Sequence, residues 1–231
     1  DGKRAITVSW DRTARMWDLT TEDSEGITHQ GSVNSICLQD GCDTMLSTAT
    51  DRTARMWACI NAQPLYTLQP AGLAAALLGT LGLAASIAAD GHLRLWDLEN
   101  GECVQKMQLD GDFDSVAAYS NAPLTPRGGN ASNVQERPAC LLAAGGNVMV
   151  SCLASGTVEV WMISKAKRKA SIIAQLEHND LVSFLSISHD GQTAATVSGH
   201  DVLLWDTMSG DLKGILPFSD TDGVAGGGGG G

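Results

Sequence analysis

The side chains able to do chemistry are few and scattered. Five His stand at 29, 92, 178, 189 and 200, and six Cys are spread along 231 residues. A structural zinc site wants cysteines or histidines a few residues apart, and none are spaced so. A nucleotide site wants a glycine-rich loop leading into a helix; a hydrolase wants a nucleophile beside an oriented base. Neither pattern occurs, and the sequence implies no cofactor and no metal. What does recur is a polar set of four kinds: a His, a small hydroxyl, an Asp and a Trp. In the clearest copy these are His29, Ser47, Asp51 and Trp57.

The set repeats on a grid. Trp17, Trp57, Trp96, Trp161 and Trp205 are separated by 40, 39, 65 and 44 residues. Asp11-Arg-Thr-Ala-Arg-Met-Trp17-Asp18 recurs as Asp51-Arg-Thr-Ala-Arg-Met-Trp57, then as Asp90-Gly-His-Leu-Arg-Leu-Trp96-Asp97. Weaker copies end at Trp161 and Trp205. A hydroxyl residue stands ten places before the Trp at Thr7, Ser47, Ser86 and Ser151. Each copy is a polar turn followed by an alternating run, the signature of a half-buried strand. His29-Gln-Gly-Ser-Val33 and His178-Asn-Asp-Leu-Val182 open two of the units, and Asp40-Gly41 and Asp190-Gly191 supply turns.

With these motifs together, residues 1 to about 216 resemble the WD40 repeat family. The resemblance implies an all-β propeller of four-stranded antiparallel blades, whose stacking buries faces that one small sheet leaves open. It also gives His29, Ser47, Asp51 and Trp57 a structural role as a tetrad, with Trp17, Trp96, Trp161 and Trp205 marking the other blades. Counting strands predicts about five blades, the first lacking its inner strand, as in a piece of a larger propeller. Residues 1–218 form this domain and 219–231, ending in Gly226 to Gly231, are expected as a flexible tail.

Other copies decay. Leu68 or Gln69 stands near the His slot of the third unit, and Ser155 replaces the turn Asp of the fourth. In the last unit Ala195 falls in the hydroxyl slot and Gly199 in the Asp slot, so the C-terminal blades are expected to be tied less firmly than the second.

Three segments invite other readings. Ala71 to Ala89 has no charge over nineteen residues and is long enough for a membrane span, but the Trp57 to Trp96 spacing requires two strands there. The roughly 25 extra residues before Trp161 map to a loop insertion at about 111–136, rich in Asn, Pro, Gly and Ser. It reads as a surface insertion, or as a rim for a partner. Lys165-Ala-Lys-Arg-Lys169 reads as a solvated hairpin, against a nuclear-localisation or anion-binding patch.

Lys and Arg number 15 against 26 Asp and Glu, a net charge of −11, so no global attraction draws the chain to nucleic acid or anionic membranes. The dispersed cysteines suit a reducing compartment, hence the cytoplasm, with the nucleus as the alternative. Resemblance to the family implies a non-catalytic scaffold that holds a protein or peptide on its loop face, with a place in a multiprotein complex. Trp10, outside the Trp grid, and Thr50, Ser32 and Asn34 are the expected contact residues. A regulatory or sensor propeller of a larger signalling NTPase is the alternative. A ubiquitin-ligase substrate receptor ranks below both, because Trp17, Trp96 and Trp205 are not followed by the Trp-Asp-x-Arg that many such receptors carry.

Overall fold

The computed structural model describes residues 4–9, 11–21, 23–38, 44–109, 140–153 and 156–217. Among them, short alternating runs separated by polar turns form five antiparallel sheets. The first holds β1 (Arg4–Val8), β2 (Thr13–Asp18) and β3 (Ser24–Thr28). The second is β4 (Val33–Leu38), β5 (Thr44–Ala49), β6 (Ala54–Ala58) and β7 (Gln63–Leu68). The third is β8 (Ala74–Leu78), β9 (Leu83–Ile87), β10 (His92–Asp97) and β11 (Cys103–Gln108). The fourth is β12 (Cys140–Gly145), β13 (Val148–Leu153), β14 (Val158–Ser164) and β15 (Lys169–Leu176). The fifth is β16 (Val182–Ile187), β17 (Thr193–Ser198), β18 (Asp201–Asp206) and β19 (Leu212–Pro217).

Every sheet runs in sequence order, so each is a simple meander, the arrangement of a propeller blade. The leading strands β4, β8, β12 and β16 touch one another in turn and line a central cavity of about 250 Å³. By register, the first sheet corresponds to β5, β6 and β7, so it has no counterpart of β4.

The core lies between sheets, in four clusters. One unites Ala14 and Met16 of the first sheet with Met45 and Trp57 of the second. Leu46 and Met56 meet Trp96 in the next, Leu83 and Leu95 meet Trp161, and Val150 and Val160 meet Trp205. Each of Trp57, Trp96, Trp161 and Trp205 therefore packs on the sheet before its own. Trp57, Trp96, Trp161 and Trp205 are buried, whereas Trp17 is half-buried. Burying an indole removes enough apolar surface to contribute about 4–6 kcal/mol before the cost of ordering.

The uncharged stretch 71–89 forms β8 and β9, joined by a 3-10 turn at Gly79–Leu81 and by Gly82 in the left-handed region at φ 65°. Its alanines suit this position: Ala75, Ala76, Ala84 and Ala85 are buried where neighbouring sheets approach. Among the described residues no helix is long and apolar enough to cross a membrane. The insertion at 111–136 and the tail 219–231 lie outside the described residues.

Candidate functional site

The hydrogen-bond chain of the second sheet starts from its turn. Between β5 and β6, the Asp51 carboxylate accepts the Thr53 backbone N–H at 3.0 Å and the Thr53 hydroxyl at 2.6 Å, an Asx turn. The same turn puts Arg52 in the left-handed region at φ 65°, as Arg12 is at 76° one sheet earlier. Asp51 also accepts the Gln30 N–H at 2.9 Å, which fixes the loop entering β4.

From there the chain runs inward. His29 Nδ1 lies 3.4 Å from Asp51 Oδ2, and His29 Nε2 lies 2.7 Å from Ser47 Oγ. Trp57 Nε1–H donates to the same Ser47 oxygen at 2.8 Å. One polarity satisfies every group: Trp57 donates to Ser47, Ser47 to His29 Nε2, and His29 Nδ1–H to the carboxylate. That requires a neutral imidazole. Burial indeed pushes the His29 pKa down, with the Arg55 charge adding to it and Asp51 opposing. Burial pushes Asp51 up, but the bonds from Thr53 and Gln30 and the His29 charge outweigh it and hold the carboxyl below its usual range.

Every sheet retains the inner half of this chain. Trp17 donates to Thr7, Trp96 to Ser86, Trp161 to Ser151 and Trp205 to Thr196, each at 2.9 Å. In each case the hydroxyl residue pairs across the ladder with the residue two before the Trp. The expectation that Ala195 fills this slot in the last unit is corrected by that register. The β17–β18 turn spans only Gly199 and His200, since Ser198 pairs with Asp201, whereas Thr48 pairs with Ala54. Counted from the Trp, the slot shifts by one and falls on Thr196.

His178 then completes the last unit. Its Nε2 is 2.7 Å from Thr196 Oγ1, and its Nδ1 is 3.0 Å from the Leu176 carbonyl, which stands in for the missing Asp. The fifth sheet is thus tied by three linked side chains, more than the third or fourth. In the third, Leu68 pairs with Ala54 as Ile27 pairs with Ala14, so the His position lies beyond it. There the Ala71 N–H donates to the Arg52 carbonyl as the His29 N–H does to that of Arg12. Asp90 instead takes a two-pronged ion pair with buried Arg94.

A second feature had no sequence signal. In sheets two to five the register slips by one immediately before each Trp, at Met56/Trp57, Leu95/Trp96, Val160/Trp161 and Leu204/Trp205. The extra residue of each bulge lies on the outer strand, at Leu65, Val104, Ile173 and Lys213, opposite the step into the Trp. Between β2 and β3 the ladder runs through Trp17 without a slip.

The expected contact residues fall as follows. The antiparallel order puts the loop entering β4 and the β5–β6 turn at the same end of the second sheet. There the Thr50 N–H donates to the Ser32 carbonyl at 2.9 Å, and both side chains are half-buried. Exposed Asn34 donates its amide to the Gly72 carbonyl at 2.8 Å, tying this corner to the third sheet. The corner is tight: a Cβ on Gly31 would meet the Asp51 nitrogen at 2.5 Å, and one on Gly72 the Ala49 carbonyl at 2.6 Å. Thr50, Ser32 and Asn34 are brought together. Trp10 lies outside the described residues. Exposed Arg12 and Arg52 crown the same end, and their turn positions were not singled out by sequence reasoning.

The cavity offers little chemistry. Ile36, Leu77, Leu142 and Leu185 line it together with Ser35 and Ser186. Burial pushes the Cys37 thiol on its wall up to about 12, so it stays protonated. Among the described residues no three His, Cys, Asp or Glu side chains are placed to share a metal ion.

Five stacked meanders, each with a Trp bonded to a hydroxyl on its neighbouring strand, define a WD-repeat β-propeller. Residues 24–58 match the family described as WD domain, G-beta repeat, and the chain is similar to WD40-repeat proteins. Similar proteins include human apoptotic protease-activating factor 1, 29% identical over 104 residues, covering 43% of this chain and 8% of that protein. Small ribosomal subunit protein RACK1y of Oryza sativa subsp. japonica is 24% identical over 169 residues, covering 69% of this chain and 44% of that protein. The chain spans less than half the length of the curated relatives it matches. Among solved structures, the computationally designed Ika8 protein superposes with a TM-score of 0.67 at 22% identity, covering 94% of this chain and 59% of that one.

Proposed function

We propose that the chain is a non-catalytic interaction scaffold that holds a protein or peptide on the face built by the β5–β6 type turns and the loops entering each inner strand. WD40 repeats imply protein-interaction scaffolds in general, and the finer assignment to this face is our reading. The observation that carries it is the corner at Thr50, Ser32 and Asn34. Backbone and amide bonds hold its loops rigidly while leaving an exposed rim that includes Arg12 and Arg52. Rigid loops lose little freedom on binding, which favours recognition. Trp10, two residues before Arg12 in the sequence, is the proposed aromatic anchor, since large aromatics dominate interface energies. The 111–136 loop supplies a rim.

The experiment is affinity capture with the wild-type chain and Trp10→Ala in parallel. Loss of specific partners with the variant supports the anchor; unchanged recovery removes Trp10 from the site.

A second reading, as the regulatory propeller of a larger signalling NTPase, draws on one observation. The match to apoptotic protease-activating factor 1 occupies only 8% of that protein, so a similar segment lies there within a far longer chain. A phosphate-binding loop in the complete reading frame would favour it.

A further inference from the structure

The densest cationic run of this acidic chain sits directly ahead of an exposed hydroxyl. Residues 165–169 carry Lys165, Lys167, Arg168 and Lys169, and Ser171 follows with Ile172 behind it. Arg168 is three places before Ser171 and Lys169 two, while Ile172 is 47% exposed. We propose that Ser171 is a phosphorylation site for a serine/threonine kinase that selects substrates by basic residues upstream of the hydroxyl.

Position in the fold makes the hydroxyl available. β15 is the outermost strand of the fourth sheet and pairs only with β14, so its other edge joins no strand of that sheet. Ser171 is exposed, and among the described residues its hydroxyl makes no side-chain hydrogen bond. Just beyond it the ladder slips, with Trp161 opposite Ile172 and Val160 opposite Ala174, so the pairing that holds this end of β15 is already interrupted. On the other side, Ser164 pairs with Lys169 to close a hairpin whose tip holds Lys165 and Lys167 in the open and Arg168 in the left-handed region at φ 49°. A kinase that reads an extended substrate needs only the outer strand to peel from its single partner, and edge strands are the ones that do so most readily.

Two contacts regulate that release. The Arg168 guanidinium pairs with the Asp97 carboxylate of the third sheet. The Gln105 side chain accepts the Ala170 N–H at 2.7 Å and donates to the Ala170 carbonyl at 3.2 Å, clipping the free edge one residue before Ser171. Both contacts come from the neighbouring sheet, so recognition by the kinase requires that this seam open locally.

The reaction balances with ATP as phosphoryl donor. The Ser171 oxygen attacks the γ-phosphorus and forms the new O–P bond. The bond from that phosphorus to the bridging oxygen breaks, ADP leaves, and the hydroxyl proton passes to the kinase's catalytic aspartate. The product carries a charge of about −1.5 to −2 beside Lys169 and competes with Asp97 for Arg168, so modification weakens the tie between the third and fourth sheets.

The test is to incubate the full chain with magnesium-ATP and the catalytic subunit of cyclic-AMP-dependent protein kinase, then to measure intact mass and locate the modified peptide. One phosphoryl group on Ser171 is expected, absent in Ser171→Ala. Arg168→Ala should slow incorporation by at least about tenfold, as loss of one desolvated charge pair requires. Gln105→Ala and Asp97→Asn should accelerate it severalfold by freeing the edge and the guanidinium. Circular dichroism of each variant establishes that it is folded. No incorporation into the folded wild-type chain, or incorporation that persists in Ser171→Ala, would overturn the proposal.

Discussion

The Nε2 atom of His29 stands 2.7 Å from the Oγ of Ser47, and that oxygen is also the acceptor for the indole of Trp57. Ser47 is fully buried, and its hydroxyl links His29, in the loop that enters β4, to the Trp57 indole on β6. Removing it leaves a buried indole N–H and a buried imidazole nitrogen unpaired. Ser47→Ala should destabilise the chain by about 2–4 kcal/mol. Thr7→Ala is the control, since Thr7 is exposed and Trp17 half-buried, and should cost about 1 kcal/mol or less. Denaturant unfolding of both variants checks the contrast.

Thr196 plays the same part in the fifth sheet, bridging Trp205 and His178. Thr196→Val keeps the shape and removes the hydroxyl, with an expected loss of about 1–3 kcal/mol. Ala195→Ser, which restores the spacing seen in the other repeats, should change stability by no more than about 0.5 kcal/mol. Equal effects of the two would show that the register is wrong.

Acid should weaken the fold through buried His29 and half-buried His178 before its carboxylates. Burial lowers the pKa of both His29 and His178 below the ordinary 6.5. The unfolded chain then binds more protons, so stability is complete above that value and declines as pH falls through it. Asp51 acts lower down: its pKa is held below 3.8, and the stability it contributes is lost only as pH falls through that depressed value. Thermal midpoints should therefore drop between about pH 7.5 and about pH 5 in the wild type. In a His29→Gln, His178→Gln double variant they should start lower and stay nearly flat.

Gly31 is packed against the backbone of the Thr50–Asp51 turn. Gly31→Ala should push that turn away, costing about 1–3 kcal/mol. Amide exchange should quicken at Thr50, whose N–H is held by the Ser32 carbonyl.

Much of this architecture is written locally. The Asp-Arg-Thr turns, the alternating strands and the Trp spacing are short-range patterns, and five sheets with an incomplete first one follow from counting them. What escaped was fixed by pairing between strands. The bulge before each Trp leaves no composition mark. The slot at Thr196 depends on turn length, which spacing alone misassigns to Ala195. The arginines at Arg12 and Arg52 hold matching places in the repeated Asp-Arg-Thr turn, where Gly91 and Gly156 stand in later sheets. The spacing alone does not show that both take the left-handed region. Asn34 is an expected contact residue whose amide also donates to the Gly72 carbonyl, a bond between residues 38 apart that no local pattern reveals.

The central claim is that one end of the propeller, and not the other, holds the partner. The direct test is quantitative capture with three chains: wild type, a loop-face variant combining Trp10→Ala and Arg52→Gly, and an opposite-face variant carrying Ile60→Ser. Gly relieves the turn at Arg52 while removing its charge, and Ile60 is 79% exposed, so neither change should disturb the core. The account predicts that a defined set of proteins is recovered equally by the wild type and Ile60→Ser and is lost with the loop-face variant. Full recovery by the loop-face variant, with loss confined to Ile60→Ser, would contradict it.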